Sequence, residues 1–158
     1  MKKYLVAYFS ASGNTAQVAK RLAHAIGADL FEIRPQTPYT PADLNWTDRE
    51  SRTSVEMRDP AFRPPIVGDV PDVGDYKVIF LGFPVWWYRE PTIIDTFLEA
   101  CAFSGQTVVP FATSGGSEMG SEAPQNIQAV APLAVVKEGK RFLAGVSEKD
   151  LADWANQF

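Results

Sequence analysis

Three short runs of β-prone residues, 4–9 (YLVAYF), 78–83 (VIFLGF) and 107–112 (TVVPFA), each lead into a polar, Gly- or Pro-bearing loop and then into a stretch with helical spacing. Apolar runs of this length read as strands buried on both faces. In 15–26, Val18, Ala19, Leu22, Ala25 and Ile26 fall on one stripe, and Gly27 ends the helix. In 92–100, Ile93, Phe97 and Ala100 are expected inward. A further helix is predicted over 121–131. A last one, capped by Ser147, runs through 157 with Leu151 and Trp154 inward. Residues 29–34, closed by Pro35, form another strand; 134–136 start a fifth, resumed at 141–143 after the 137–140 turn.

Strands alternating with helices at this spacing imply βαβ units, a parallel sheet and right-handed crossovers. The expected fold is α/β: a doubly wound five-stranded parallel sheet in the order 2-1-3-4-5. That order puts a ligand crevice outside the carboxyl ends of strands 1 and 3. The loops that face it are 10–15, 84–91 and 113–120. Residues 36–65 interrupt the alternation. Thr40 can cap a helix with Pro41 at its first position, and partial helix is expected over 47–57. So long a connection between strands is often functional.

The chain has 158 residues, the size of one domain, so residues 1–158 are expected to form a single unit. Its formal charge of -4 argues against a nucleic-acid partner, and permits a partner with a basic docking surface. Cys101 is the single cysteine, so no intrachain disulfide forms. That suits a reducing cytoplasm, which is the expected location. The apolar run after Lys3 gives way to Ser10, Ser12 and Asn14 before it reaches the length of a signal core. No stretch approaches a membrane span, so no membrane partner is expected.

The first loop gathers Ser10, Ser12, Gly13, Asn14 and Thr15 at a helix N-terminus, with no acidic residue. Unpaired N–H groups and the helix dipole can hold an anion there without a cationic side chain. An ordinary capped turn has the same composition. GxxxxGK[ST] and GxGxxG are both absent, and the first strand does not end in an acidic receiver cluster. Position 107, where a cysteine phosphatase loop would need Arg, is Thr. A small phosphomonoester is the anion that remains.

The second loop is Pro84-Val85-Trp86-Trp87-Tyr88-Arg89. Three adjacent aromatics cannot all face one core, so at least one lies at the surface or against a flat ligand. The alternative is an aromatic corner packing the 36–65 segment. The third loop, Thr113-Ser114-Gly115-Gly116, lets backbone amides approach a polar ligand edge, or is a plain Gly/Ser connector. Elsewhere, His24 reads as an exposed helical residue and Cys101 as a small core residue near a helix end. Asp48 and Arg52 read as an i,i+4 surface pair. Tyr39 and Trp46 are expected to pack locally, with shielding of a bound ring as the alternative. No cluster of His and Cys suggests a metal.

The segments YFSASGNTAQVAKRLA, IFLGFPVWWYREP and SGQTVVPFATSGGS resemble the flavodoxin family, and the similarity spans nearly the whole chain. The resemblance implies flavin mononucleotide (FMN) as cofactor. Ser10, Ser12, Gly13, Asn14 and Thr15 would hold its phosphate; Pro84, Val85, Trp86, Trp87 and Tyr88 would cover its ring. Thr113, Ser114, Gly115 and Gly116 would line its pyrimidine edge. It implies electron transfer to a redox partner protein or small acceptor, with no catalytic side chain. The alternative is a small FMN-dependent NAD(P)H–quinone-type reductase; a domain without cofactor fits the intact first loop poorly. Two positions depart from the family. Tyr88 stands where relatives with Pro-x-Trp-Trp often carry Gly. Left-handed backbone costs a non-Gly residue about 1–2 kcal/mol, so a backbone flip at the ring is not expected, and the flavin should pass mainly between oxidised and fully reduced forms. The third loop has no Tyr between 113 and 120, which would leave one ring face open.

Overall fold

The apolar runs become β1 (Tyr4–Tyr8), β3 (Val78–Pro84) and β4 (Thr107–Thr113), the centre of the sheet in a computed structural model that describes residues 3–114, 119 and 122–158. With β2 (Asp29–Glu32) and β5 (Val135–Val136) the order is β2-β1-β3-β4-β5, every pair parallel. The expected topology is the one found. Alternate residues go to opposite faces, as the strand period requires. Val6, Tyr8, Phe80, Val109 and Phe111 pack beneath α1 (Asn14–Ile26) and α5 (Glu148–Ala155), with Leu22, Leu151 and Trp154. Leu5, Ala7, Ile79, Leu81, Phe83 and Val108 pack beneath α3 (Thr92–Ala100) and α4 (Glu122–Val130), with Ile93, Phe97 and Ile127. Ala100, expected inward, is exposed, and Ile94 and Leu98 join the inner surface instead.

The last strand resumes as expected. β5 leaves the sheet after two residues, and β6 (Lys140–Phe142) returns beside β4. Pro110 gives the reason. On the β5 side, Val108 O accepts from Lys137 N at 2.9 Å. Two residues on, Pro110 has no N–H to offer that side, and a ladder cannot continue past it. The chain turns at 137–139. Gly139, with φ 84, lies against Pro110, where a Cβ would come within 2.3 Å of the carbonyl oxygen.

The 36–65 segment is tied at its base. Pro35 bridges Ile66, Gln36 N donates to Pro65 O, and Val67 N donates to Arg34 O. Helix forms later in it than expected, as α2 (Arg52–Met57), capped by Ser51. Before it, Asn45 Oδ1 accepts from Thr47 N and Asp48 Oδ1 from Glu50 N. Such local side-chain bonds replace helix. Thr40 and Asp43 cap each other's N–H groups around a single turn that does not continue. The expected Asp48–Arg52 pair is absent. Arg52 instead donates to Glu56 at 2.8 Å and lies 3.8 Å from the Tyr39 ring centroid. Among the described residues, no helix is long and apolar enough to cross a membrane.

Candidate functional site

The C-terminal ends of β1, β3 and β4 bring the three loops together. Phe9 N donates to Gly82 O, Val85 N donates to Thr113 O, and the Thr15 and Thr113 hydroxyls meet at 2.7 Å. The first and third loops thus touch through a buried hydroxyl pair.

In the first loop, Ser10 Oγ accepts from Gly13 N and Ala16 N, both at 3.1 Å, so it fixes the start of α1 rather than standing open. Gly13 precedes the helix with φ 97, a conformation Gly adopts at little cost. The Asn14 and Thr15 N–H groups have no hydrogen-bond partner among the described residues. No acidic residue lies in the first turn, and the Ser12 and Asn14 side chains are exposed. The resemblance sets the hydroxyls of Ser10, Ser12 and Thr15 all at the phosphate. One, on Ser12, is exposed, while those of Ser10 and Thr15 are engaged within the protein.

The second loop is a two-residue hairpin. Trp86 and Arg89 exchange both backbone hydrogen bonds at 3.1 Å, leaving Trp87 and Tyr88 at the tip with φ 50 and 65. Tight hairpins of this kind favour Asn-Gly because both tip residues are left-handed. Here two bulky aromatics occupy them, each at a cost of about 1–2 kcal/mol. Tyr88 thus already adopts the left-handed backbone whose cost underlies the expectation drawn from it. The aromatics divide their roles. Trp86 packs edge-on against Phe9 at 5.5 Å and Tyr39 at 5.4 Å, while Trp87 and Tyr88 are 43% and 68% exposed. Val85, Trp86, Trp87 and Tyr88 line a cleft of about 550 Å³ together with Leu44, Trp46 and Thr53.

Tyr39 packs locally, as expected. Its hydroxyl donates to Glu56 at 2.5 Å, and burial together with that bond raises its pKa. Trp46 does not: it is 74% exposed in the cleft. In the third loop, Ser114 N donates to Phe142 O and Ser114 O accepts from Arg141. Gly115 and Gly116 lie outside the described residues. His24 is exposed as expected, and its Nδ1 lies 2.7 Å from Glu148; that contact raises its pKa. Burial pushes the Cys101 thiol up to about 12, which keeps it in the thiol form at neutral pH. No group of three His, Cys, Asp or Glu side chains among the described residues could hold a metal.

Sequence reasoning missed a cluster behind the hairpin. Arg89 Nη2 donates to Glu90 Oε2 at 2.8 Å and to Asp95 Oδ2 at 3.1 Å. Asn126 donates to Glu90 Oε1 at 3.3 Å. Arg63 Nη1 lies 4.0 Å from Asp95, and its Nε 3.1 Å from Glu99. Glu90 is 0% exposed and Asp95 1%. Acidic residues at a helix start normally read as solvated caps. The available signal was the company of Asp95, since Ile93, Ile94, Phe97 and Leu98 leave α3 little polar surface.

The family model described as Flavodoxin matches residues 3–158. The chain is 42% identical to a protein of Bacteroides uniformis ATCC 8492, provisionally described as a flavoprotein, over 98% of each chain with a TM-score of 0.91. It is 44% identical to a protein of Bacteroides eggerthii DSM 20697 with the same description, over 99% of this chain and 98% of that one, with a TM-score of 0.89. A flavoprotein of Lactobacillus acidophilus NCFM, solved in complex with FMN, shares the fold at 22% identity over 98% and 99% of the two chains, with a TM-score of 0.71. No curated protein matches the sequence. The chain belongs to the flavodoxin family.

Proposed function

We propose that the chain binds FMN at the ends of β1, β3 and β4 and transfers electrons through it to a redox partner or small acceptor. The observation that carries this reading is the start of α1, where the unpartnered Asn14 and Thr15 N–H groups sit beside exposed Ser12 with no acidic side chain in the turn. That donor set suits a phosphate. Ser12, Gly13, Asn14 and Thr15 hold it, and Ser10 keeps the loop in shape. Trp87 and Tyr88 offer exposed faces to a flat ring, and Trp86 buttresses them through Phe9 and Tyr39. The Thr15–Thr113 hydroxyl pair fixes the spacing between phosphate loop and third loop. The resemblance adds Ser114, Gly115 and Gly116 at the ring's polar edge. When bound, the flavin supplies the redox chemistry, and the protein supplies position and surroundings. The complex of the Lactobacillus protein with FMN supports the same ligand here.

The first test is direct. FMN should bind near one-to-one and quench tryptophan fluorescence. Charge-assisted hydrogen bonds contribute about 1.5–3 kcal/mol each, so riboflavin, lacking the phosphate, should bind at least about tenfold more weakly. Ser12→Glu places a negative charge at the phosphate position and should erase the difference. A reconstituted protein without flavin absorbance, or with equal affinity for FMN and riboflavin, overturns the reading.

A further inference from the structure

Glu90 and Asp95 are two buried carboxyl groups held by one donor, Arg89 Nη2, at 2.8 and 3.1 Å. Two carboxylates gripped by one nitrogen in a dry site repel each other, and a proton on Asp95 relieves that repulsion. Arg89 and Arg63 are the cations beside the pair, and Arg63 also meets Glu99, whose side chain is half-exposed.

The position of Arg89 gives the cluster its meaning. Its guanidinium grips both carboxyls, and its backbone closes the hairpin on Trp86. Beyond that closing pair lie only Trp87 and Tyr88, both left-handed. A tip held against its conformational preference needs a firm stem. The stem here is tied to α3 through Asp95 and to α4 through Asn126.

We propose that Arg89, Glu90 and Asp95 are positioning residues for the ring-binding hairpin, and that they act as one unit with the proton shared by the two carboxyls. The proposal rests on the reading of Trp87 and Tyr88 as ring contacts. Burial, and next the hydrogen bond and charge of Glu90, push the Asp95 carboxyl well above the usual carboxylate range, against the opposing pull of Arg89 and Arg63. The groups facing the pair come from each element packed on it: Arg89 from the hairpin, Arg63 from the chain before β3, Asn126 from α4, and Glu99 from α3 through Arg63. Loss of the proton sets two charges against each other beneath the stem. The hairpin then loosens, and ring binding weakens with it.

Asp95→Asn keeps the shape and a donor for Glu90 but cannot ionise; Asp95→Ala removes both. FMN affinity of each is measured from about pH 7 to about pH 10, together with the indole NMR signals of Trp86 and Trp87 in the flavin-free protein. The natural chain should lose about tenfold or more in affinity across that range, equivalent to about 1.4 kcal/mol. Asp95→Asn should stay within about threefold, and Asp95→Ala should bind about tenfold more weakly already at neutral pH. The two indole signals should titrate in the natural chain and not in Asp95→Asn. Glu90→Gln, which also ends the sharing of a proton, should flatten both profiles and serves if Asp95→Asn does not fold. If the natural chain and these amide variants share one pH profile, or if Asp95→Ala binds FMN as the natural chain does, the proposal fails. Should no variant bind flavin at any pH, the FMN reading fails, and the indole titrations still decide the role of the cluster.

Discussion

At positions 87 and 88 two large side chains occupy backbone conformations that glycine or asparagine normally takes. The hairpin holds them there, so removing one side chain should relieve strain. Tyr88→Gly recovers about 1–2 kcal/mol of left-handed cost and gives back about 0.5–1 through the freedom of Gly in the unfolded chain. The net should be a gain of about 0.5–1 kcal/mol, or about 1–4 °C in Tm for a chain of this size, with weaker FMN binding as a ring contact is lost. A lower melting temperature would show that Tyr88 packs rather than strains. The aromatic motif was legible at this scale, because neighbouring rings must diverge. Their division was not, since Trp86 is taken into the core by Phe9 and Tyr39, which are distant in sequence. Glu90 and Asp95 were illegible for a related reason: only tertiary packing turns a helix-start carboxylate into a buried one.

Among the elements, β3 and β4 pair Gly82 with Phe111, whose ring lies over the glycine. A Cβ on Gly82 would come within 2.2 Å of the Phe111 ring. Gly82→Ala forces that ring aside in a close-packed face and should cost about 1–3 kcal/mol, read as a lower denaturant midpoint. Phe111→Leu in the same chain should restore part of the loss; no loss from the single change would mean the ring has room to move. The strands were legible because burial on both faces writes uninterrupted apolar runs. α2 was less so: the residues before it carry helix-compatible spacing, but Asn45 and Asp48 bind their own backbone and delay the helix to Arg52. The break between β5 and β6 was legible as a turn. Its cause, Pro110 facing that side of β4, needed the register.

For the molecule as a whole, the buried carboxyl pair sets a pH dependence opposite to that of most acidic residues. Asp95 holds its proton in the folded chain to a higher pH than in the unfolded one. Below the ordinary carboxylate range both states are protonated, and its contribution is fully present. As pH rises the unfolded chain releases the proton first, so stability falls until Asp95 ionises in the folded chain too. The exposed His24–Glu148 contact has the same sign, because the folded pKa of His24 is raised. The difference between the natural chain and Asp95→Asn therefore isolates the pair: denaturant midpoints from about pH 5 to about pH 8 should decline less in Asp95→Asn. Parallel declines would show that Asp95 ionises in the folded chain as it does in the unfolded one. The turn at Pro110 has another effect at this scale. A long, straight sheet margin invites another chain to add a strand and seed aggregation. Here one margin is β2, four residues long, and the other is split into pieces of two and three residues by the bend at Gly139. Neither offers a long row of free backbone groups, and the same proline that interrupts the ladder protects the sheet from being extended.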